Sequence, residues 1–264
     1  MLNLGSINFA ALTVVAIAGG CQTNPITGRS QLMIVSQRDA EASSAQAYVA
    51  TVSEARGKGK LDTDPPRVAR VKAITDRLIA QAIRLRPESQ KWEWSMHVID
   101  EPEVNAWCMP GGKMAIYTGL LQKLQPSDDE IAEVLGHEIA HALLSHGQEK
   151  MSRALATQAG ILAASVATNR DMTGLAPVAQ AALLLPNSRQ AETEADRLGI
   201  EIAARAAYNP EAAIVLWQKM GQLGGAQPPQ FLSTHPSNQT RIDALSRLLP
   251  QTMPLYQAAK AGRR

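Results

Sequence analysis

The sequence predicts an α+β fold, mostly helical, with a small antiparallel sheet. Three observations predict it. Apolar residues recur at helical spacing before residue 86, three short strand-like segments cluster between residues 92 and 118, and helical patterns resume after them. The chain has 264 residues, 45% hydrophobic and 19% charged, which excludes a disordered or collagen-like chain. Twenty-six basic residues against 24 acidic ones leave a formal charge of +2, and no Lys/Arg run appears, so a nucleic-acid partner is excluded. Aromatics at 4% argue against a base-stacking surface. Two cysteines cannot build a disulfide framework.

Residues 1–20 carry no charge, and residues 7–18 (INFAALTVVAIA) match a signal-peptide core too short to span a bilayer. Ala18-Gly19-Gly20-Cys21 resembles a bacterial lipoprotein box, which implies cleavage after residue 20 and lipidation of Cys21. The rival is an ordinary cleaved signal peptide with Cys21 incidental. Gln22 rather than Asp after the cysteine implies, by the same resemblance, the periplasmic face of the outer membrane in a Gram-negative cell. The expected organisation is therefore a signal peptide over 1–20, a lipidated tether over 21–36, where QTNPITGRS is turn-rich, and a single domain over 37–264.

Ser36-Gln37-Arg38-Asp39 caps a helix running to about Ala55, and Gly57-Lys58-Gly59-Lys60 breaks it. Pro65 and Pro66 start a second helix with Val68, Val71, Ile74, Leu78, Ala82 and Leu85 on one face, ended by Pro87. Residues 92–100, 103–108 and 113–118 read as short strands, the last two joined by the turn Pro110-Gly111-Gly112. Residues 154–186 are rich in Ala and Leu, charged only at Arg170 and Asp171. They read as paired core helices in preference to a membrane-touching hairpin, because Thr, Gln, Ser and Pro interrupt them.

The chemistry begins in residues 126–147 (PSDDEIAEVLGHEIAHALLSHG). Ser127 and Glu130 form a capping box, and Gly147 is placed to close the helix. His137 and His141, four apart, share one helical face, so both imidazoles can reach one metal ion. Glu138 is rotated about 100° from His137, beside the metal, where it can take a proton from water that the metal has acidified. With 5 histidines in the chain, the pattern is expected by chance roughly 0.005 times per sequence. The rival, a solvated face with two unremarkable histidines, is set aside on that rarity.

A catalytic zinc needs a third protein ligand. His146 would fall about 140° off the face in a continuous helix, so it is read as structural or supporting. Leu144 and Gly147 stand where a metzincin needs Gly and His, which excludes that class. Glu192 and Asp196, four apart in a helix started by Asn187 or Ser188, are the better pair. Glu192 is the ligand choice, and Asp196 can accept the outer N–H of a ligating histidine. Glu194 points elsewhere and is the weaker choice. His235 follows a Gly/Pro-rich loop with Arg241 near the next turn. It either stabilises the oxyanion or reversibly occupies the fourth zinc position, and both residues are candidates for the catalytic set.

Residues 23–36 (TNPITGRSQLMIVS), 104–121, the His137–His141 helix, 188–200 (SRQAETEADRLGI) and 233–242 (STHPSNQTRI) resemble one zinc metallopeptidase family. It includes the CAAX prenyl proteases, HtpX and the mitochondrial Oma protease, and among its periplasmic lipoprotein-type members LoiP and BepA. The chain is expected to correspond to the protease part without BepA's repeat domain. The resemblance implies a zincin-like fold with one Zn²⁺ per chain. It maps the third ligand onto Glu192, the histidine-orienting carboxylate onto Asp196 and the loop histidine onto His235. It also implies that the strand with Gly112, Met114, Ala115 and Ile116 is an open edge facing the cleft, able to pair with an extended peptide. The implied function is a lipid-anchored endopeptidase acting on unfolded or misassembled envelope proteins. Two alternatives remain: an envelope chaperone or assembly factor with a latched zinc site, and a structural zinc protein.

Overall fold

The computed structural model describes residues 20–168, with side chains to 157, and residues 186–223, 230–235 and 239–262. The expected signal peptide, apart from Gly20, and residues 169–185 of the expected core-helix pair lie outside the described residues.

Helix α1 (Gln37–Gly57) starts as expected at Ser36, whose Oγ accepts from Asp39 N at 3.1 Å. Helix α2 (Pro65–Leu85) is capped by Asp64, with Pro65 and Pro66 in its first turn. Val71, Ile74, Leu78 and Ala82 are buried, while Val68 and Leu85 pack against the core half-buried.

The segment expected to be a tether is instead an ordered hairpin. Strands β1 (Cys21–Thr23) and β2 (Ser30–Leu32) pair antiparallel, with Cys21 exposed opposite Leu32. Asn24 turns the chain, its Oδ1 accepting from Ile26 N and Thr27 N at 2.9 and 3.2 Å. Gly28, at φ +71°, takes the left-handed conformation that brings the chain back. Turn-rich composition is as compatible with a tight hairpin as with a linker; the difference lies in the tertiary contacts that hold this one.

A second sheet holds β3 (Ser95–Ile99), β4 (Ala106–Met109) and β5 (Lys113–Tyr117) in the order β3-β5-β4. Two expectations are corrected here. The sheet is mixed, because β5 pairs parallel to β3 and antiparallel to β4. The strand carrying Met114, Ala115 and Ile116, entered through Gly112, is central and not an edge. All three residues are fully buried, and both sides of the strand are paired. The continuous apolar run Met-Ala-Ile is the mark of a strand buried on both faces. The outer side of β3 is covered by residues 60–62, with Asp62 N donating to Val98 O at 2.8 Å and Asp100 N to Lys60 O at 2.7 Å. Among the described residues, the open edge is therefore β4.

Helices α3 (Thr118–Leu124) and α4 (Asp128–Leu143) follow. Both halves of the Ser127–Glu130 capping box are made, at 3.2 and 2.7 Å. Every residue of α4 from Glu130 to Leu143 is buried, so this helix is the centre of the molecule. It ends before Gly147, contrary to expectation. Ser145 adopts φ +57°, and a new helix, α5 (His146–Thr168), begins at the next residue. No helix among the described residues is long and apolar enough to cross a membrane.

Helices α6 (Arg189–Arg205), α7 (Ala212–Gln222), α8 (Gln230–Thr234) and α9 (Gln239–Ala261) complete the fold. Helix α6 crosses α4 at a contact between two glycines. A Cβ on Gly199 would stand 2.8 Å from both Cα and N of His137, and one on Gly136 2.8 Å from Gly199 O. Glu192, Asp196 and Gly199 fall at steps of four and three on one face of α6. The backbone contact at Gly199 thus carries both carboxylates to the histidines. Gly199→Ala is expected to cost at least about 1–3 kcal/mol by overpacking and to abolish metal binding. Gly221→Ala, in a helix with nothing within 4 Å, should leave binding intact. Thermal melts and metal titration of the two variants check this.

Candidate metal centre

Helix α4 brings the His137 and His141 rings together edge to face, and Nε2 of one lies 3.0 Å from Nε2 of the other. Helix α6, capped by Ser188 accepting from Ala191 N at 3.1 Å, brings Glu192 to them. Glu192 Oε1 lies 3.2 Å from His141 Nε2, and Oε2 lies 3.5 Å from His137 Nε2. His235 Nδ1 lies 3.2 Å from His137 Nε2 and 3.0 Å from Glu192 Oε1. All four residues are buried, and together they form a cluster able to hold a metal ion.

The spacing tests the fit. Four N/O ligands about 2.0–2.2 Å from a tetrahedral zinc stand roughly 3.3–3.6 Å from one another. The separations given above run from 3.0 to 3.5 Å, and one ligand atom from each of the four residues lies within 4.8 Å of the others, so small adjustments accommodate the ion. The donor set of imidazoles and one carboxylate is that of zinc.

Asp196 stands where the sequence places it, its Oδ1 3.0 Å from His137 Nδ1. A carboxylate there accepts a hydrogen bond from Nδ1–H and so turns the Nε2 lone pair toward the cluster. Glu138 lies beside the cluster. Its Oε1 is buried without a hydrogen-bond partner, 3.4 Å from His235 Nε2. An unsatisfied buried carboxylate oxygen is costly, and its place next to the ligands suits an atom reserved for water. Burial pushes the Glu138 carboxyl up from its ordinary value, against the pull of His235 and His137.

Burial pushes His141 well below the usual histidine range, keeping it neutral. Burial opposes charge on His137 too. Hydrogen bonds to Asp196 and Glu192 prevail and push it up to about 9. Glu192 is likewise penalised by burial, yet His235, His137 and His141 hold it ionised far below the carboxylate range. In the metal-free chain a proton on His137 thus occupies the ground the metal needs. Zinc must displace it, so raising the pH favours binding. Zinc affinity should climb with pH with a slope of about one and level off above about 9. Binding at pH 7 should release a proton, as calorimetry in buffers of different ionisation heats would show. The stability of the metal-free protein runs the other way. Because the folded value is raised, the His137 contribution is full below about 6.5 and lost as pH rises through about 9.

Arg241, expected in the catalytic set, sits behind the ligands. Its Nη1 lies 2.8 Å from Glu192 Oε2, and its Nε and Nη2 donate to Asp196 at 2.8 and 2.6 Å. Its guanidinium lies 3.6 Å above the Trp217 ring. These contacts clamp two carboxylates of the centre. His146 is neither a ligand nor remote: its Nδ1 stands 2.8 Å from His141 Nδ1. The helix restart after Ser145 overrides the rotation expected of a continuous helix. Sequence reasoning missed the aromatic wall of the site. The Trp217 ring edge meets His137, and Phe231 stacks on His235 with ring centroids 4.5 Å apart. Asn187 Nδ2 also reaches His235 Nδ1, at 3.3 Å. Nothing in the spacing of these residues marks them in one sequence.

A buried helix with two histidines and a carboxylate beside them, completed by an acid from a second helix, defines a metallopeptidase-type zinc centre. Residues 65–249 match the profile of Peptidase family M48, and the chain belongs to that family. It is 33% identical over 270 residues to the mitochondrial metalloendopeptidase OMA1 of Bos taurus, covering 97% of this chain and 51% of the relative. It is 35% identical over 174 residues to mitochondrial metalloendopeptidase OMA1 of Saccharomyces cerevisiae, covering 62% and 50%. It is 27% identical over 209 residues to the beta-barrel assembly-enhancing protease of Yersinia pestis, covering 74% and 42%. The chain spans about half the length of these curated relatives or less.

Proposed function

We propose that the chain is a lipid-anchored zinc endopeptidase that cleaves unfolded or misassembled proteins at the periplasmic face of the outer membrane. The observation that carries the catalytic reading is the buried, unpartnered Glu138 Oε1 beside the His137, His141 and Glu192 cluster. Zinc, when bound there, supplies a Lewis acid for the scissile carbonyl and for water. Glu138 takes the proton from water on Oε1 and delivers it to the leaving amine. His137, His141 and Glu192 hold the ion, with Asp196 and Arg241 fixing two of them from behind.

The open edge of β4, packed alongside α4, is where an extended substrate pairs in this reading. Backbone pairing reads little sequence, which suits unfolded chains. Exposed Cys21 behind a signal-like segment supports the anchor, and the name of the Yersinia relative, a beta-barrel assembly-enhancing protease, supports an envelope role. Expression of the full chain in a Gram-negative cell tests the location. The parent should fractionate with the outer membrane and Cys21→Ala with the soluble fraction. Equal fractionation of the two would remove the lipid anchor. Digestion of unfolded casein against a folded control tests the substrate class.

A second reading is favoured by one observation. His235 Nδ1 lies among the ligand atoms, so His235 can close the site as a fourth ligand. The protein would then bind extended chains and cut them rarely. If the open form is about one tenth populated, His235→Ala should raise casein turnover roughly 10-fold. A loss of turnover would instead give His235 a transition-state role.

A further inference from the structure

The metal ligand His137 has a carboxylate on its outer nitrogen; His141 has another histidine there. His141 Nδ1 and His146 Nδ1 lie 2.8 Å apart, and the opposite nitrogen of His146, Nε2, lies 3.0 Å from Glu194 Oε2. The protons in this chain are fixed by what each end can do. Glu194 sits under the Arg29 guanidinium, whose Nε donates to its two oxygens at 2.8 and 3.0 Å. So paired, Glu194 only accepts, and His146 Nε2 must carry the proton. A neutral His146 then offers a lone pair at Nδ1. His141 must donate its own Nδ1 proton to that lone pair, and this leaves the His141 Nε2 lone pair facing the metal cluster. The opposite tautomer would put a proton where zinc binds.

Arg29 belongs to the amino-terminal hairpin, 165 residues from Glu194 in sequence. The hairpin is built to hold it. Arg29 Nη1 and Nη2 also grip Glu149 as a fork, at 2.9 and 2.7 Å. Gln31 Nε2 donates to Glu149 Oε2 at 3.0 Å and to Leu144 O at 2.9 Å, and Asn24 Nδ2 donates to the same carbonyl at 2.9 Å. Leu144 O is at the end of α4, where helix carbonyls lack partners. The hairpin therefore caps the metal-bearing helix and clamps the two acids next to it. His146 is 1% exposed and Glu149 4%, so solvent does not supply these contacts.

We propose that His146, Glu194 and Arg29 form a positioning relay that sets the tautomer and orientation of His141, making the amino-terminal hairpin an outer part of the metal centre. The relay rests on the zinc site described above. None of its three members touches substrate; they act through His141. Losing such an outer partner typically weakens metal binding about 10–100-fold.

The test uses the full chain and three readouts: zinc affinity by chelator competition, the visible bands of the cobalt-substituted protein, and the thermal midpoint. His146→Leu removes both hydrogen bonds. It should weaken zinc roughly 10–100-fold and shift the cobalt bands. His146→Gln keeps an acceptor for His141 and a donor for Glu194, and should restore affinity to within a few-fold of the parent. Arg29→Gln should weaken zinc less than His146→Leu but in the same direction. Should His146→Leu fail to fold, Arg29→Gln and Glu194→Gln decide by the same readouts. Unchanged affinity and bands in these variants, or equal loss in His146→Leu and His146→Gln, would overturn the relay. A parent that binds no zinc would sink the metal centre itself. A parent that binds zinc, with indifferent variants, sinks the relay alone.

Discussion

Glu138→Gln should retain zinc and lose proteolysis. Glutamine matches glutamate in shape but cannot accept the proton of water at the oxygen that lies unpartnered in the site. General-base assistance is worth about 10²–10⁴-fold, so kcat/KM for casein should fall by about three orders of magnitude, or ~4 kcal/mol of transition-state stabilisation. KM should move little, because Glu138 contributes nothing to pairing along β4. Zinc affinity should stay within a few-fold, since none of the ligand nitrogens is touched. Stability should hold or rise: burial pushes this carboxyl up, so its ionised form is a cost that the neutral amide removes. The measurement is a casein digest with matched metal analysis. A variant that contains zinc and cuts at the parental rate would remove Glu138 as the base.

Glu192→Gln should empty the site. Among the described residues, Glu192 is the carboxylate whose oxygens approach the Nε2 atoms of both His141 and His137, at 3.2 and 3.5 Å. It is also the group that the three surrounding histidines hold ionised. Removing its charge should weaken zinc by more than the roughly 100-fold attached to an outer partner, with proteolysis falling in proportion. The metal-free fold should lose up to about 3 kcal/mol, the low end for breaking a buried ion pair, because Asp196 keeps Arg241 partnered. Metal analysis, a casein digest and a denaturant titration together check this. Parental zinc affinity in Glu192→Gln would take the third ligand away from α6.

The contrast between these residues shows how far one sequence could be read. His137, Glu138 and His141 were legible because their geometry is set within one turn of one helix, and a capping box at Ser127 marks that helix. Glu192 and Asp196 were legible as a pair on one face, and the chemistry of zinc required an acid from somewhere. Arg241 is legible only as a neighbour of the ion, because a guanidinium near a metal reads the same whether it meets substrate or clamps ligands; the structure adds its contacts with Glu192 and Asp196. Met114, Ala115 and Ile116 were read as a strand correctly and as an edge wrongly. Strand order depends on which segment fills the gap between β3 and β4, and that is a choice among distant pairings. The hairpin at residues 21–32 was read as a tether, since only its contacts with Glu149, Glu194 and Leu144 separate it from a linker.

By itself, the sequence determined the two helices before residue 86, the three strands between residues 92 and 118, the two-histidine helix with its base, and the acidic pair on a second helix. These follow from spacing within a few residues, where the periods 3.6 and 2 govern which side chains meet. Only the tertiary structure decided that Gly136 and Gly199 let two helices touch backbone to backbone. It alone decided that His235 Nδ1 stands 3.0 Å from Glu192 and 3.2 Å from His137, that β4 is the open edge among the described residues and that Arg29 reaches the centre through Glu194 and His146. Those depend on contacts across tens to more than a hundred residues, where local propensity carries no information and close packing of the whole chain selects the arrangement.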